Sequence, residues 1–214
     1  MLASREARRH ALVGTLRHWK ARRAFQIEFL MKSGLKPKHY VLDLGSGTLR
    51  GGLPIIAYLE AGHYYGLEVR SDVFEEGLKE LREAGLEGKR PVLRLEQDLH
   101  PLELGRRFEF VWAYSLLIHL TDARLEDCLR LVASHIADGG IFFATVNLGA
   151  RRDGKWREFP LVFRPLEFYA LTASRHRLKT TNVGRMLDLG VSSDDPKIRA
   201  AQHMLRFENR STQA

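Results

Sequence analysis

An α/β domain built on a parallel sheet is what this sequence predicts, on three observations. Short apolar runs alternate with helical stretches from Tyr40 to Asn147, the pattern of strands joined by covering helices. The first run, Tyr40 to Leu44, passes directly into a glycine-rich turn, Gly45-Ser-Gly-Thr-Leu-Arg-Gly-Gly52, that opens a helix. The next run ends on an acid, Glu68, about twenty residues after the turn, which puts a carboxylate at the tip of the neighbouring parallel strand.

Residues 4 to 33 read as helical: Ser4 can cap the start, and Leu12, Leu16, Trp19, Ile27 and Leu30 recur near one or two turns apart. Arg22-Arg23 interrupts the stripe, so one helix or two with a bend both fit, and Gly34 and Pro37 stop it. Beyond the glycine turn, Leu53 to Leu59 is a short helix closed by Ala61-Gly62, and His63 to Glu68 is the second strand. Ser71 to Ala84 is an amphipathic helix whose first turns carry Asp72, Glu75 and Glu76, favourable to the helix dipole, and it ends at Gly85. Pro91 to Leu95 is a third strand followed by Gln97-Asp98, and Phe108 begins a fourth whose exit is Tyr114 to Leu120. Thr121 caps a helix from Asp122 to Ala137, ended by Asp138-Gly139-Gly140, and Ile141 to Val146 is the fifth strand, leading to Asn147. The pattern then changes to a basic, Trp- and Phe-containing insert, Leu148 to Arg164. Pro165 opens a helix to about Ser174, Leu178 to Met186 is the sixth strand, and Asp194-Asp195-Pro196 lies in a polar connection before the last strand, Gln202 to Phe207. The length suits a single domain, residues 37–214, behind an N-terminal helical cap, residues 1–36.

The glycine turn carries the chemistry. Gly45 and Gly47 have no Cβ, so the backbone can turn sharply and bring its N–H groups close to a ligand. A dinucleotide turn has its glycines at G-x-G-x-x-G, and here the third falls late, at Gly51. No Gly-Lys-Ser/Thr follows, which excludes a Walker loop. The acid at the strand's end, Asp43, suits a cationic amino group better than a phosphate. A purely structural turn would use the same glycines. Glu68 can accept hydrogen bonds from both ribose hydroxyls of a nucleoside, and Asp98, after the third strand, can accept from an adenine amino group on the far side.

Asp43, Gly45 and Gly47, with Glu68, Asp98, Tyr114-Ser115, His119 and Asp138-Gly139-Gly140 in this order, resemble the class I S-adenosylmethionine-dependent methyltransferases over roughly residues 37–147, with a weaker match at Gln202 to Phe207. The resemblance implies a Rossmann-like three-layer sandwich around a seven-stranded, mostly parallel sheet of order 3-2-1-4-5-7-6, the seventh strand antiparallel. It implies S-adenosylmethionine as methyl donor, with Asp43, Gly45, Ser46 and Gly47 at the methionine part, Glu68 at the ribose, Asp98 at the adenine with Gln97 and Leu99 flanking it, and Tyr114 both a donor contact and, with His119, a candidate catalytic residue. Leu49-Arg50 departs from the pattern, setting a long cation near a cationic donor. His119, on the turn leaving strand four with Tyr114, stands where many small-molecule enzymes of this type face the transferred methyl. A histidine of pKa near ~6.5 can take an acceptor's proton there; packing or capping the next helix is the structural alternative. Trp19, Arg23, His119, Asn147 and Arg151 are the candidate acceptor contacts, with Trp19 and Phe25 as lid residues over the site.

Charge narrows the acceptor. The chain carries 34 Lys and Arg against 26 Asp and Glu, and residues 1–40 hold ten basic residues against Glu6 and Glu28, a surplus of eight that equals the whole excess of +8. Within the balanced remainder, residues 151–185 hold nine basic residues against Asp153, Glu158 and Glu167. Such patches attract anions, although solvated helix faces look the same. The expected acceptor is a small anionic metabolite or sugar, methylated at oxygen or nitrogen. RNA is the competing acceptor, on a phosphate track of basic residues, but no RNA-binding module is recognisable and the N/D-P-P-Y/F signature of amino-group methylases is missing after strand four. A non-catalytic donor-binding subunit would carry the same set. Aminopropyl transfer on this fold calls for a Gly-Gly-x-Asp-Gly loop that is not here.

The longest apolar run, Phe110 to Leu120, is too short to span a bilayer. No secretory h-region follows the N-terminus, and the single cysteine, Cys128, cannot form an internal disulfide, so a cytoplasmic protein without a membrane partner is expected. Cys128 falls in an amphipathic helix and reads as a buried structural thiol. No H-x-x-H, C-x-x-C or H-E-x-x-H spacing points to a metal.

Overall fold

The computed structural model describes residues 19–99, 102–156, 158–191 and 200–209. Ser4, Leu12, Leu16, Arg157 and the Asp194-Asp195-Pro196 connection lie outside the described residues. The chain divides into two compact units, residues 1–97 and 98–214.

The first unit runs α1 (Trp19–Lys32), β1 (Val41–Leu44), α2 (Gly52–Tyr58), β2 (Tyr64–Glu68), α3 (Ser71–Glu83) and β3 (Val92–Leu95). Its three strands are parallel, with Val41 opposite Tyr64, Asp43 opposite Gly66 and Glu68 opposite Leu95. All four residues of β1 are buried, as a strand covered on both faces requires. α1 runs unbroken through Arg22-Arg23. α3 buries Val73, Gly77 and Leu81, an i, i+4, i+8 stripe, and carries Asp72 in its first turn.

The second unit runs β4 (Phe108–Ala113), α4 (Asp122–His135), β5 (Ile136–Asn147), β6 (Gly154–Trp156), β7 (Phe159–Leu161), α5 (Leu166–Arg175), β8 (Leu178–Arg185) and β9 (Gln202–Asn209). β4 pairs parallel with β5, whereas β9 is antiparallel to both β5 and β8. The seven main strands follow the order β3-β2-β1-β4-β5-β9-β8; β8 and β9 are the sixth and seventh of them, so this is the expected order. Its core is built on Phe108, Trp112, Leu129, Val132, Phe142 and Phe207, all buried, with Phe142 and Phe207 stacked at 5.1 Å. Thr121 caps α4 by accepting from the Arg124 amide at 3.5 Å. Cys128 is fully buried, and burial pushes its thiol up to about 12, the state of an inert packing residue.

Two stretches differ from the sequence reading. α4 stops at His135, not Ala137, and β5 starts at once with Ile136 opposite Phe108. The register then jumps to Phe110 opposite Ile141, so Asp138-Gly139-Gly140 forms a bulge within the strand instead of ending the helix. Ile136 is fully buried and extended, and a buried β-branched side chain favours the strand. A Cβ on Gly140 would stand 2.8 Å from the Phe108 carbonyl oxygen, which keeps that position a glycine. The second difference is the basic insert, which folds as the antiparallel hairpin β6–β7 with Trp156 opposite Phe159. Among the described residues no helix is long and apolar enough to cross a membrane.

Candidate functional site

In the first unit the glycine turn hangs from β2. The amides of Gly45 and Ser46 both donate to the Leu67 carbonyl at 2.9 Å. Gly45 and Gly47 have φ of 70° and 60°, a left-handed conformation that a side chain would strain. Glu68 is 5 % exposed. Its Oε2 accepts from the Gly47 amide at 2.9 Å, and Oε1 accepts from the Val69 and Arg70 amides at 3.0 Å each. A carboxylate offers about four acceptor positions, so one remains, on the oxygen facing the turn. Glu68 thus holds the turn in shape and can take one further donor without releasing it.

Asp43 is 4 % exposed and accepts a 2.6 Å hydrogen bond from the Tyr64 hydroxyl. Burial raises its carboxyl to about 7; the Tyr64 bond pulls the other way, and the negative charge of Glu68 adds to the rise. Tyr64 is pushed well above its ordinary value by burial and by Asp43. The second pair of glycines has a packing role. A Cβ on Gly52 would lie 2.5 Å from the Tyr64 hydroxyl, and one on Gly51 would overlap the buried Gln26 carboxamide of α1. Arg50, the departure from the family pattern, is folded in and 8 % exposed. Gln97 is exposed. On α1 the Arg23 guanidinium lies 5.2 Å from the centre of the Trp19 ring, and Phe25 is tilted against Phe29 at 5.5 Å.

In the second unit the exit from β4 is held by its neighbours. Tyr114 stacks on Trp112 at 5.9 Å. Ser115 has φ 59°, uncommon for a residue with a side chain, and its amide donates to Thr145 Oγ1 at 2.7 Å. His119 Nδ1 meets the Pro160 carbonyl at 2.7 Å. A carbonyl only accepts, so Nδ1 carries the proton and Nε2 is the basic nitrogen of the neutral ring. Trp156 and Phe159 lie 5.5 and 6.0 Å from that ring. The Val162 amide donates to the Ile118 carbonyl at 2.9 Å and completes the strap between hairpin and turn. Asn147 is fully buried, its Nδ2 donating to the Val162 carbonyl at 3.2 Å and its Oδ1 without a hydrogen-bond partner among the described residues. Asp98 is exposed and pairs with Arg124 at 3.0 Å, and Leu99 beside it is half-buried.

Several cations of the basic segment are engaged within the fold. Arg164 bonds Asp153 at 2.6 Å and Asp122 at 2.9 Å, which joins the insert to the start of α4; the pairing holds the Asp153 carboxyl below its ordinary value. Arg175 and His176 pair with Glu126, and Arg185 with Asp188. Arg151 lies over Phe163 at 5.6 Å, while Arg152 and Lys155 are exposed. Arg177 and Lys179 are exposed as well, so the positive surplus of residues 151–185 is divided between the hairpin side and the start of β8. Sequence reasoning did not single out Tyr64, Thr145 or Pro160. A tyrosine opening a buried strand was the available signal for the first; nothing in the sequence marks a carbonyl as a histidine's partner.

Order, direction and turn together define the fold of the class I S-adenosylmethionine-dependent methyltransferases, and solved structures share it. An S-adenosylmethionine-dependent methyltransferase from Clostridium acetobutylicum ATCC 824 superposes with a TM-score of 0.68 at 14% identity, covering 98% of this chain and 99% of that one. Magnesium protoporphyrin IX methyltransferase (ChlM) from Synechocystis PCC 6803, solved with bound S-adenosylmethionine, gives 0.66 at 14% identity over 90% of this chain and 80% of that one. The glycopeptide N-methyltransferase MtfA gives 0.66 at 17% identity over 88% and 90%. At such identities the likeness is one of fold. No protein-family model matches the chain, and no curated protein matches it.

Proposed function

We propose that this chain is an S-adenosylmethionine-dependent methyltransferase acting on an oxygen or nitrogen of a small anionic molecule. One observation carries the reading: a Cβ-free turn at Gly45 and Gly47, clamped by the buried Glu68 carboxylate, on a fold shared with methyltransferases. The residues suit that donor. Two buried carboxyls, Asp43 and Glu68, flank the turn against its one cation, the folded-in Arg50, so it favours a ligand with hydroxyls and cationic groups over a polyphosphate. Asp43 and residues 45–47 would hold the methionine part and Glu68 the ribose, with Asp98 at the adenine, Gln97 and Leu99 flanking it, and Tyr114 as a further donor contact and a catalytic candidate beside His119. The donor supplies an electrophilic methyl group. His119, with Nδ1–H donating to Pro160, has Nε2 as its basic nitrogen, which would take the acceptor's proton. Arg151 and Asn147 on the insert side, with Trp19 and Arg23 on α1, would select the acceptor, and the exposed Arg152 and Lys155 support its being anionic.

Calorimetry tests the donor: S-adenosylmethionine and its demethylated product are expected to bind, and NAD is not. Labelled-methyl transfer into charge-fractionated metabolite extracts then finds the acceptor, with transfer into RNA the competing outcome. His119→Ala is expected to lower turnover by ~10²–10⁴-fold with donor affinity retained; a loss below tenfold would leave the histidine as a tether for the hairpin.

A further inference from the structure

Three alternate residues of β2 shape the end of β1. Tyr64, Gly66 and Glu68 share one face of the strand, since side chains alternate. Glu68 binds the Gly47 amide. At Gly66 a Cβ would stand 2.9 Å from Leu93 Cδ2, 3.1 Å from Tyr64 Cε1 and 3.2 Å from Ser46 Cβ, so the glycine makes room for the tyrosine ring and the turn as well as for β3. Tyr64, 1 % exposed, reaches Asp43 Oδ2 at 2.6 Å. The start of α2 accommodates the same hydroxyl, because Gly52 presents no Cβ where one would crowd it at 2.5 Å. A phenylalanine would fill this core equally well. The hydroxyl, buried and aimed at a carboxyl, therefore points to a role beyond packing.

We propose that Tyr64 is a positioning residue of the donor site, its hydroxyl holding the Asp43 carboxylate at the head of the glycine turn for a cationic group of the ligand. The proposal rests on the methyl-donor reading given above. Among the described residues, the titratable groups that act on the Asp43 carboxyl are Tyr64 and Glu68, both on β2. Glu68 and burial favour the neutral acid; the Tyr64 bond favours the charged form. Removing the hydroxyl thus leaves an uncharged carboxyl up to a higher pH, and ligand binding should follow it.

The test is Tyr64→Phe, read in two ways on the full chain. Carbon-13 NMR of the ligand-free protein should show the Asp43 titration midpoint rising by about one pH unit or more, as expected for losing a hydrogen bond to a charged group. Calorimetry with S-adenosylhomocysteine should show roughly tenfold weaker binding near neutral pH, and a smaller loss at alkaline pH, where both proteins carry the charge. A purely structural tyrosine would weaken binding equally at all pH values. Gly52→Ala, which crowds the hydroxyl and leaves the carboxyl untouched, should move the midpoint in the same direction, and it serves where Tyr64→Phe does not fold. A wild-type protein that binds no adenosyl ligand overturns the donor reading itself. A wild type that binds, with a midpoint and pH profile unmoved in both variants, overturns the role of Tyr64 alone.

Discussion

Asp43→Asn replaces a buried acid by an amide of the same shape, which still accepts from the Tyr64 hydroxyl. The folded-state value of Asp43 is about 7, against an ordinary 3.8. The folded protein therefore binds this proton more tightly than the unfolded chain, and the wild type loses stability as pH rises from about 4 to about 7, then levels off. At 1.36 kcal/mol per unit the full window amounts to ~4 kcal/mol, an upper figure given the burial. Between about pH 5 and about pH 8 only the part up to 7 is crossed, leaving ~3 kcal/mol. The Asp43→Asn variant lacks this dependence, so its stability relative to wild type should grow by that amount across the interval. Urea unfolding of both proteins at several pH values measures it, and the difference cancels every other titrating group. A difference that stays constant across the interval would show that Asp43 is ionised throughout and that its burial is compensated. Donor affinity should move the opposite way, since the variant offers no charge above neutrality.

Glu68→Gln places an amide N–H₂ or a weaker acceptor against the Gly47, Val69 and Arg70 amides, and should cost about 1.5–3 kcal/mol through hydrogen bonds to a charged group. Hydrogen exchange at Gly47 should accelerate in step, and an unchanged rate would show that the turn holds itself. Gly51→Ala drives a methyl into Gln26 and should destabilise by about 1–3 kcal/mol. Adding Gln26→Ala should recover part of that loss, whereas strict additivity in the double-mutant cycle would deny the contact.

The parallel half of the fold was legible because β1, β2 and β4 are mostly buried and read as short apolar runs. β1 and β2 fall within a residue of the expectation. The glycine turn and the acid after β2 were legible because their spacing is a geometric requirement. The limits lay where side chains compete with local rules. Asp138-Gly139-Gly140 carries the signature of a helix stop, yet the pairing of Ile136 with Phe108 ends α4 earlier and makes the glycines a bulge. The basic count of residues 151–185 was right as arithmetic and misleading as a map, since Asp122, Glu126 and Asp188, outside that segment, neutralise Arg164, Arg175 and Arg185. The spacing placed Glu68 beside the turn but could not tell that its first partners are the protein's own amides. Likewise the His119 partner is a backbone oxygen 41 residues away, which no residue pattern encodes.

The bond between His119 and Pro160 ties two properties that an engineer would want to vary separately. Under the proposed function, the hairpin that carries Trp156 and Phe159 is the natural place to remodel what the protein accepts, because it lies outside the main sheet. The same hairpin supplies the carbonyl that orients the imidazole. Any loop graft that moves residue 160 by an ångström also rotates the ring, or frees it to exchange tautomers. With His119 in its proposed role, libraries built at the hairpin alone should return mostly variants changed in both selectivity and rate. Productive changes should come as pairs, one in the hairpin and one in the turn between Tyr114 and Leu120, so drift in one segment should be matched by drift in the other.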